Sequence, residues 1–221
     1  MAELAERVLL PGDPQRALLA AQALLDAPRM FNHARGLWGY TGLAADGEPL
    51  SVQSTGMGGP SAAVVCEELI GLGARRLVRI GTCGALAGGL PLGELLAAEA
   101  VLAEDGASSA LGASGELRPD PELTRALVAA GARPAKVVSS DLFYDPRHEL
   151  TSQWERRGAA AVEMEAAAVL RVAELRDARA ACVLAVTDVP AAGGSESLRA
   201  SELESLAEPL AAAGYAALRS P

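Results

Sequence analysis

Basic residues are scarce in this chain, and lysine is almost missing. Nineteen Lys and Arg stand against 28 Asp and Glu, a formal net charge of −9, and Lys136 is the only lysine. Nucleic-acid binders normally carry a basic face, so that class of partner is excluded. Any arginine that holds an anion must be a local exception on an acidic background. Aromatic residues amount to 3 %, with two Phe in the whole chain. His33 and His148 are the only histidines, and Cys66, Cys83 and Cys182 are far apart with no CxxC pair. That leaves no zinc-ligand spacing and no disulfide framework; the cysteines are expected as small buried residues in a reducing compartment. No apolar run approaches ~18 residues, so no transmembrane helix and no membrane partner are expected. The N-terminus, Met1 to Arg7, is charged and mostly acidic, unlike a signal peptide. The expectation is a soluble cytoplasmic protein. GxxxxGKS/T and GxGxxG are both absent, which removes the standard nucleotide loops.

What is present is a globular chain. Half of its 221 residues are apolar, enough to bury a sizeable core, and no repeat or linker divides it. One domain over residues 1–221 is expected. Arg7-Val8-Leu9-Leu10 reads as a buried strand ended by Pro11-Gly12, with Asp13-Pro14 as the cap and first position of a helix to about Leu25. Free amides converge at such a junction, and Arg16 stands one turn into the helix; this is either an anion site or an ordinary capped helix. Residues 37–55 read as antiparallel strands about a turn at Asp46-Gly47. Gly56 to Ser61 is a second glycine-rich turn, opening a helix to about Leu72. Arg79 sits in an apolar strand that ends in Gly81-Thr82-Cys83-Gly84, and a buried arginine requires an anion or a carboxylate partner. Further strands are expected at 95–102, 135–139 and 181–186, the last stopped by Thr187-Asp188-Val189-Pro190. Helices are expected at 121–130, 165–176 and 198–218. This alternation predicts an α/β fold with a mixed sheet.

Val162-Glu163-Met164-Glu165, at a strand-to-helix junction, has two readings. The carboxylates complement the positive end of the helix dipole. Alternatively, one of them points into a cleft at the end of the sheet, where it can accept from the adjacent hydroxyls of a sugar.

Seven stretches in order resemble the nucleoside phosphorylase family, in its hexameric branch of bacterial purine nucleoside phosphorylases and uridine phosphorylases. They are Pro11-Gly12-Asp13-Pro14-Gln15-Arg16, His33-Ala34-Arg35-Gly36, Thr55-Gly56-Met57-Gly58-Gly59-Pro60-Ser61, Arg79-Ile80-Gly81-Thr82-Cys83-Gly84, Ser139-Ser140-Asp141-Leu142-Phe143-Tyr144, Val162-Glu163-Met164-Glu165-Ala166 and Thr187-Asp188. The resemblance implies a three-layer fold, a central mixed β-sheet flanked by helices. It also implies that Gly12, Arg16, Arg79 and Thr82 hold phosphate, a co-substrate, with no metal and no cofactor. Arg35 would reach the phosphate of a neighbour in a homohexamer built from dimers. Met57, Glu163, Met164 and Glu165 would form the ribose site, Glu165 taking the 2′- and 3′-hydroxyls and Glu163 supporting it. Cys83, Gly84, Val162 and Phe143 would surround the base, and Asp188 would be the general acid.

The chemistry suits these residue types. Arginines neutralise and orient a phosphate dianion, a carboxylate favours the cationic sugar of the transition state, and a carboxylic acid protonates the departing base. The family's purine branch carries an early histidine, and here none precedes His33. The Gln and Arg with which uridine phosphorylases read their base are not found in order in Asp145-Pro146-Arg147-His148-Glu149. A purine is therefore the expected base. Arg199, beyond a flexible Ala191-to-Ser195 segment, is the candidate for the arginine that supports the catalytic aspartate. The alternatives are a uridine phosphorylase, a methylthioadenosine-type nucleosidase that uses water, and a nucleoside-binding relative without turnover.

Overall fold

A computed structural model describes residues 4–147, 149–191 and 194–219. His148 and the Ala192-Gly193 centre of the expected flexible segment lie outside the described residues. The chain opens with β1 (Arg7–Pro11), α1 (Pro14–Leu24), β2 (Leu25–Asn32), β3 (Gly39–Ala44), β4 (Pro49–Gln53) and α2 (Gly59–Gly71). There follow β5 (Arg76–Ala85), β6 (Leu95–Glu104), α3 (Gly106–Ala110), β7 (Glu116–Leu117), α4 (Pro121–Ala129) and β8 (Arg133–Ser140). The last part is α5 (Glu149–Arg156), β9 (Ala161–Glu163), α6 (Ala166–Leu175), β10 (Arg179–Ala191), β11 (Gly194–Ser197), α7 (Ala200–Ser205) and α8 (Ala207–Arg219).

The strands form one mixed sheet with helices on both faces, as the α/β reading predicts. β1 runs parallel to both β4 and β5, and β5 runs parallel to β10. The central strands are buried on both faces, so their residues alternate between two cores rather than between core and water. In β10, Cys182, Leu184 and Val186 pack with α2 and α6, while Ala181, Val183 and Ala185 pack with α1, α4 and α8. Part of the sheet closes on itself. β10 pairs with β5 and with β6, β6 with β8, β8 with β9, and β9 returns antiparallel to β5. Closure leaves the carboxyl ends of β1, β5 and β10 at one rim, the side on which parallel strands present ligand sites.

Several elements differ from the sequence reading. β2 has no apolar alternation and contains Pro28; it is an edge strand held only by β3, where a proline breaks no ladder. β5 runs through Gly81-Thr82-Cys83-Gly84 to Ala85, because β10 pairs with it as far as Gly84. β10 continues past Thr187, Asp188 and Pro190 into a hairpin with β11, and Pro190 lies on the outer, two-stranded part of the sheet. The expected helix over 198–218 is two, α7 and α8, broken at Leu206. Pro209 lies in the first turn of α8, where its missing N–H costs nothing; a continuous helix would drive its ring against the carbonyl of Ser205. Among the described residues no helix is long and apolar enough to cross a membrane.

Candidate active site

A cavity of about 720 Å³ opens at this rim, within the range of small-ligand sites. Its walls come from the turn after β1, the turn before α2, the end of β5, the β9–α6 junction, the loop after β8 and the β10–β11 hairpin.

One end of the cavity is cationic. Asp13 caps α1 by accepting from the Gln15 amide at 2.9 Å, which leaves Gly12 and the helix N-terminus at the wall. Arg16 lies 3.7 Å from the Asp13 carboxylate, but its Nη1 is buried and has no hydrogen-bond partner among the described residues. Arg79, on β5, is almost fully buried. Its Nε donates to Glu163 at 2.9 Å and its Nη2 pairs with Glu165, while its Nη1 is also buried without a partner. Burial pushes the Arg16 guanidinium below its ordinary value, with Asp13 opposing and the nearby Arg79 charge adding to the fall. Burial acts on Arg79 in the same direction, but the charges of Glu165 and Glu163 outweigh it and hold the group cationic. Thr82, two residues along β5 from Ile80, lines the same end. Gly81 makes this fit possible, since a Cβ there would lie 2.8 Å from the Arg79 guanidinium.

The two carboxylates of the β9–α6 junction separate by environment. Glu163 is saturated: it accepts from Arg79, from the Glu165 and Ala166 amides at 2.9 Å each, and from the Ser139 hydroxyl. It complements the start of α6 and braces Arg79. Although it lines the cavity, each of its oxygens already accepts two or more bonds from protein groups, whereas each Glu165 oxygen takes one, so Glu163 stands behind the ribose ligands in a supporting place rather than among them. Glu165 accepts the Gly58 amide at 2.5 Å on one oxygen and pairs with Arg79 on the other. Gly58 donates from the left-handed region, at φ 89°, a conformation that glycine adopts without strain. Burial lifts the Glu165 carboxyl above the usual range, Arg79 pulls it down, and the Glu163 charge adds to the rise. Met57 and Met164 flank this middle section.

The other end is mainly apolar. Gly84 on β5 lies opposite Val162 on β9; a methyl at Gly84 would meet Val162 at 3.8 Å and Asp188 at 3.9 Å, filling the slot between them. Cys83 stands beside them, its thiol buried and pushed up by that burial. Phe143, in the loop after β8, presents an exposed ring and meets Tyr144 edge-on at 4.9 Å. Asp188 projects from β10 at this end. Its Oδ1 accepts from the Ser197 hydroxyl at 2.6 Å and its Oδ2 from the Thr187 hydroxyl at 2.7 Å.

Arg35, expected to serve a neighbour's site, and Arg199, expected beside Asp188, both lie outside this cavity. Arg35 lies in a short 3₁₀ turn, Ala34–Gly36, exposed and outside the cavity at φ 56°. Arg199 does not meet Asp188. It caps α7, its guanidinium is bonded to Glu202 at 2.9 Å, and the side chain faces solvent. An acid in the first turn of a helix takes the arginine at its cap, which removes Arg199 from the expected catalytic pair in this conformation. Ser195 and Ser197, not among the expected site residues, are carried by β11: Ser195 lines the cavity, and Ser197 reaches it through its bond to Asp188. Among the described residues no cluster of His, Cys, Asp or Glu is arranged to hold a metal ion.

Comparison with known proteins gives the family. The family described as phosphorylase superfamily matches residues 6–219. A purine nucleoside phosphorylase of DeoD type from Jannaschia sp. (strain CCS1) is 37 % identical over 197 residues, covering 84 % of this chain and 83 % of that protein. DeoD-type purine nucleoside phosphorylases from Roseobacter denitrificans and Geobacillus kaustophilus are each 35 % identical over 195 residues, 84 % of this chain and 83 % and 82 % of theirs. With the cationic end, the buried carboxylate and the apolar slot in one cavity, and the family match running almost end to end, the chain belongs to the phosphorylase superfamily.

Proposed function

We propose that the protein is a purine nucleoside phosphorylase, cleaving the N-glycosidic bond of purine nucleosides with inorganic phosphate to give free base and ribose 1-phosphate. The observation that carries the reading is the pair of buried Nη1 groups of Arg16 and Arg79, without a partner among the described residues, in the same cavity that Asp188 lines. Buried donors left unsatisfied cost about 1–3 kcal/mol each, more when charged, so they call for an anion.

In this reading phosphate lies between the α1 N-terminus, Arg16, Arg79 and Thr82, with one oxygen toward C1′ of the sugar. Glu165 holds the 2′- and 3′-hydroxyls between Met57 and Met164, and its charge favours the oxocarbenium-like transition state. The base occupies the slot of Cys83, Gly84 and Val162 under Phe143. As the N9–C1′ bond breaks, its electron pair passes to the base, Asp188 gives a proton to N7, and a phosphate oxygen bonds to C1′. General-acid assistance of this kind is worth about 10²–10⁴ in rate. Glu163 holds Arg79 and the backbone of Glu165 in register. Among the described residues the apolar slot offers no paired amide reader for a pyrimidine edge, which favours purine over uridine.

The reading extends to a cytoplasmic homohexamer in which Arg35 enters a neighbour's site. Its exposure at a left-handed turn, away from its own cavity, supports that role. The test is an assay of inosine, adenosine, guanosine and uridine with and without phosphate. Phosphate-dependent release of purine is expected. Base release without phosphate would establish a nucleosidase, a preference for uridine would overturn the base assignment, and binding without product would leave a non-catalytic relative.

A further inference from the structure

Asp188 stands at a partition. It lines the main cavity and also an adjoining one of about 530 Å³, between α1 and the β11–α7 segment. Ser197 lines only the adjoining cavity, while Ser195, two residues earlier on β11, lines only the main one. Asp188 and Ser197 are direct cross-strand partners in the β10–β11 hairpin, and the Ser197 hydroxyl donates to Oδ1 at 2.6 Å. Thr187 holds the other oxygen. Its one hydroxyl proton has two acceptors within reach, Asp188 Oδ2 at 2.7 Å and the Cys83 carbonyl at 3.3 Å.

The two hydroxyls are therefore not equivalent. When Thr187 donates to the Cys83 carbonyl, its oxygen is free to accept from a protonated Oδ2; when it turns to Asp188, it stabilises the carboxylate. Among the described residues Ser197 has Oδ1 as its only acceptor, so it donates in both states and sets the plane of the carboxyl group. Beside the alternating Thr187 bond, no cation pairs with the Asp188 side chain among the described residues, which leaves Ser197 as the constant contact.

We propose that Ser197 is a positioning residue for proton delivery to the leaving base. Through the hairpin register it holds the Asp188 carboxyl edge-on to the base slot, so that the proton leaves Asp188 for N7 of the purine while the N9–C1′ electron pair passes to the base. The resulting carboxylate is received by Thr187 and Ser197 and takes its next proton from solvent water. This rests on Asp188 as the acid of the proposed function.

The experiment compares wild type, Ser197→Ala, Ser197→Thr and Asp188→Asn on two substrates, inosine and 7-methylinosine. The second is cationic at N7 and leaves as a neutral base without receiving a proton. Ser197→Ala is expected to lower kcat on inosine roughly 10-fold, the scale of one hydrogen bond to a charged group. It should spare kcat on 7-methylinosine and the KM for phosphate, and Ser197→Thr should restore the inosine rate. Equal loss on both substrates would reduce Ser197 to a structural tether, and an unchanged inosine rate would remove the role; either overturns the inference. Asp188→Asn separates the layers. If it too leaves inosine cleavage intact, the acid assignment fails. If it slows inosine alone while Ser197→Ala does nothing, only the present inference fails.

Discussion

Replacing Glu165 by Gln isolates what the buried carboxylate contributes. The side chains are nearly the same size, so the cavity keeps its shape. The change is one of charge and of acceptor count: Glu165 now satisfies the Gly58 amide with one oxygen and the Arg79 guanidinium with the other. Glutamine has a single acceptor oxygen and can serve only one of them, leaving a buried donor at a cost of about 1–3 kcal/mol in stability. For catalysis, a hydrogen bond to a charged acceptor is worth about 1.5–3 kcal/mol against about 0.5–1.5 for a neutral one. Two ribose hydroxyls then lose about 2–3 kcal/mol together, or roughly 30- to 150-fold in kcat/KM. The assay is kcat/KM on inosine and on 2′,3′-dideoxyinosine, which has no hydroxyls for the carboxylate to hold. The loss should be large on the first and only a few-fold on the second. An equal loss on both would show that Glu165 acts through Arg79 or the fold rather than through the sugar, and would refute the reasoning.

Arg16→Met should raise the KM for phosphate by roughly 10- to 100-fold, the value of a charged hydrogen bond, and leave the KM for nucleoside nearly unchanged; initial rates against both substrates test this. The acid side of the nucleoside KM profile should begin above the range of an ordinary glutamate. Burial raises the Glu165 carboxyl, so its charged form is lost as pH falls through a value higher than usual. A titration limb at the ordinary carboxylate value would speak against Glu165 as the ligand. Away from the site, Arg7 holds Asp46 at 2.6 Å and depresses its carboxyl, chiefly through that hydrogen bond. A depressed carboxylate adds stability above its unfolded value of about 3.9 that is lost as pH falls through the folded one. Asp46→Asn should therefore lower Tm at neutral pH but narrow its gap to wild type in strong acid, as read by thermal unfolding across pH.

The site was legible where chemistry is carried by local turns. Gly12 with Arg16, Gly56 to Gly58, and Glu163 to Glu165 each declare a strand end, a turn and a helix start within a few residues. What the sequence could not convey depends on distant pairing. Closure of the sheet needs β9 to return to β5 and β10 to meet β6, registers that no local pattern encodes. The separate fates of Glu163 and Glu165 follow from Ser139, at the end of β8, bonding one and Gly58, before α2, the other. Ser197 escaped notice because Thr187-Asp188-Val189-Pro190 reads as a stop, whereas the strand continues and folds back. Arg199 was placed by its distance along the chain, but Glu202, one helical turn ahead, decides where its guanidinium goes.

Arg79 is bonded to Glu165 through one nitrogen and has another buried without a partner among the described residues, so in the proposed function a single guanidinium serves both substrates. Its positive charge is a shared resource. A dianion that settles on Nη1 draws on the field that now holds Glu165, and the loosened carboxylate oxygen turns toward the sugar hydroxyls. A sugar that takes that oxygen in turn leaves Arg79 less compensated and more receptive to phosphate. The two ligands are thus linked through one side chain, and linkage is reciprocal: whatever factor phosphate contributes to nucleoside affinity, nucleoside returns to phosphate.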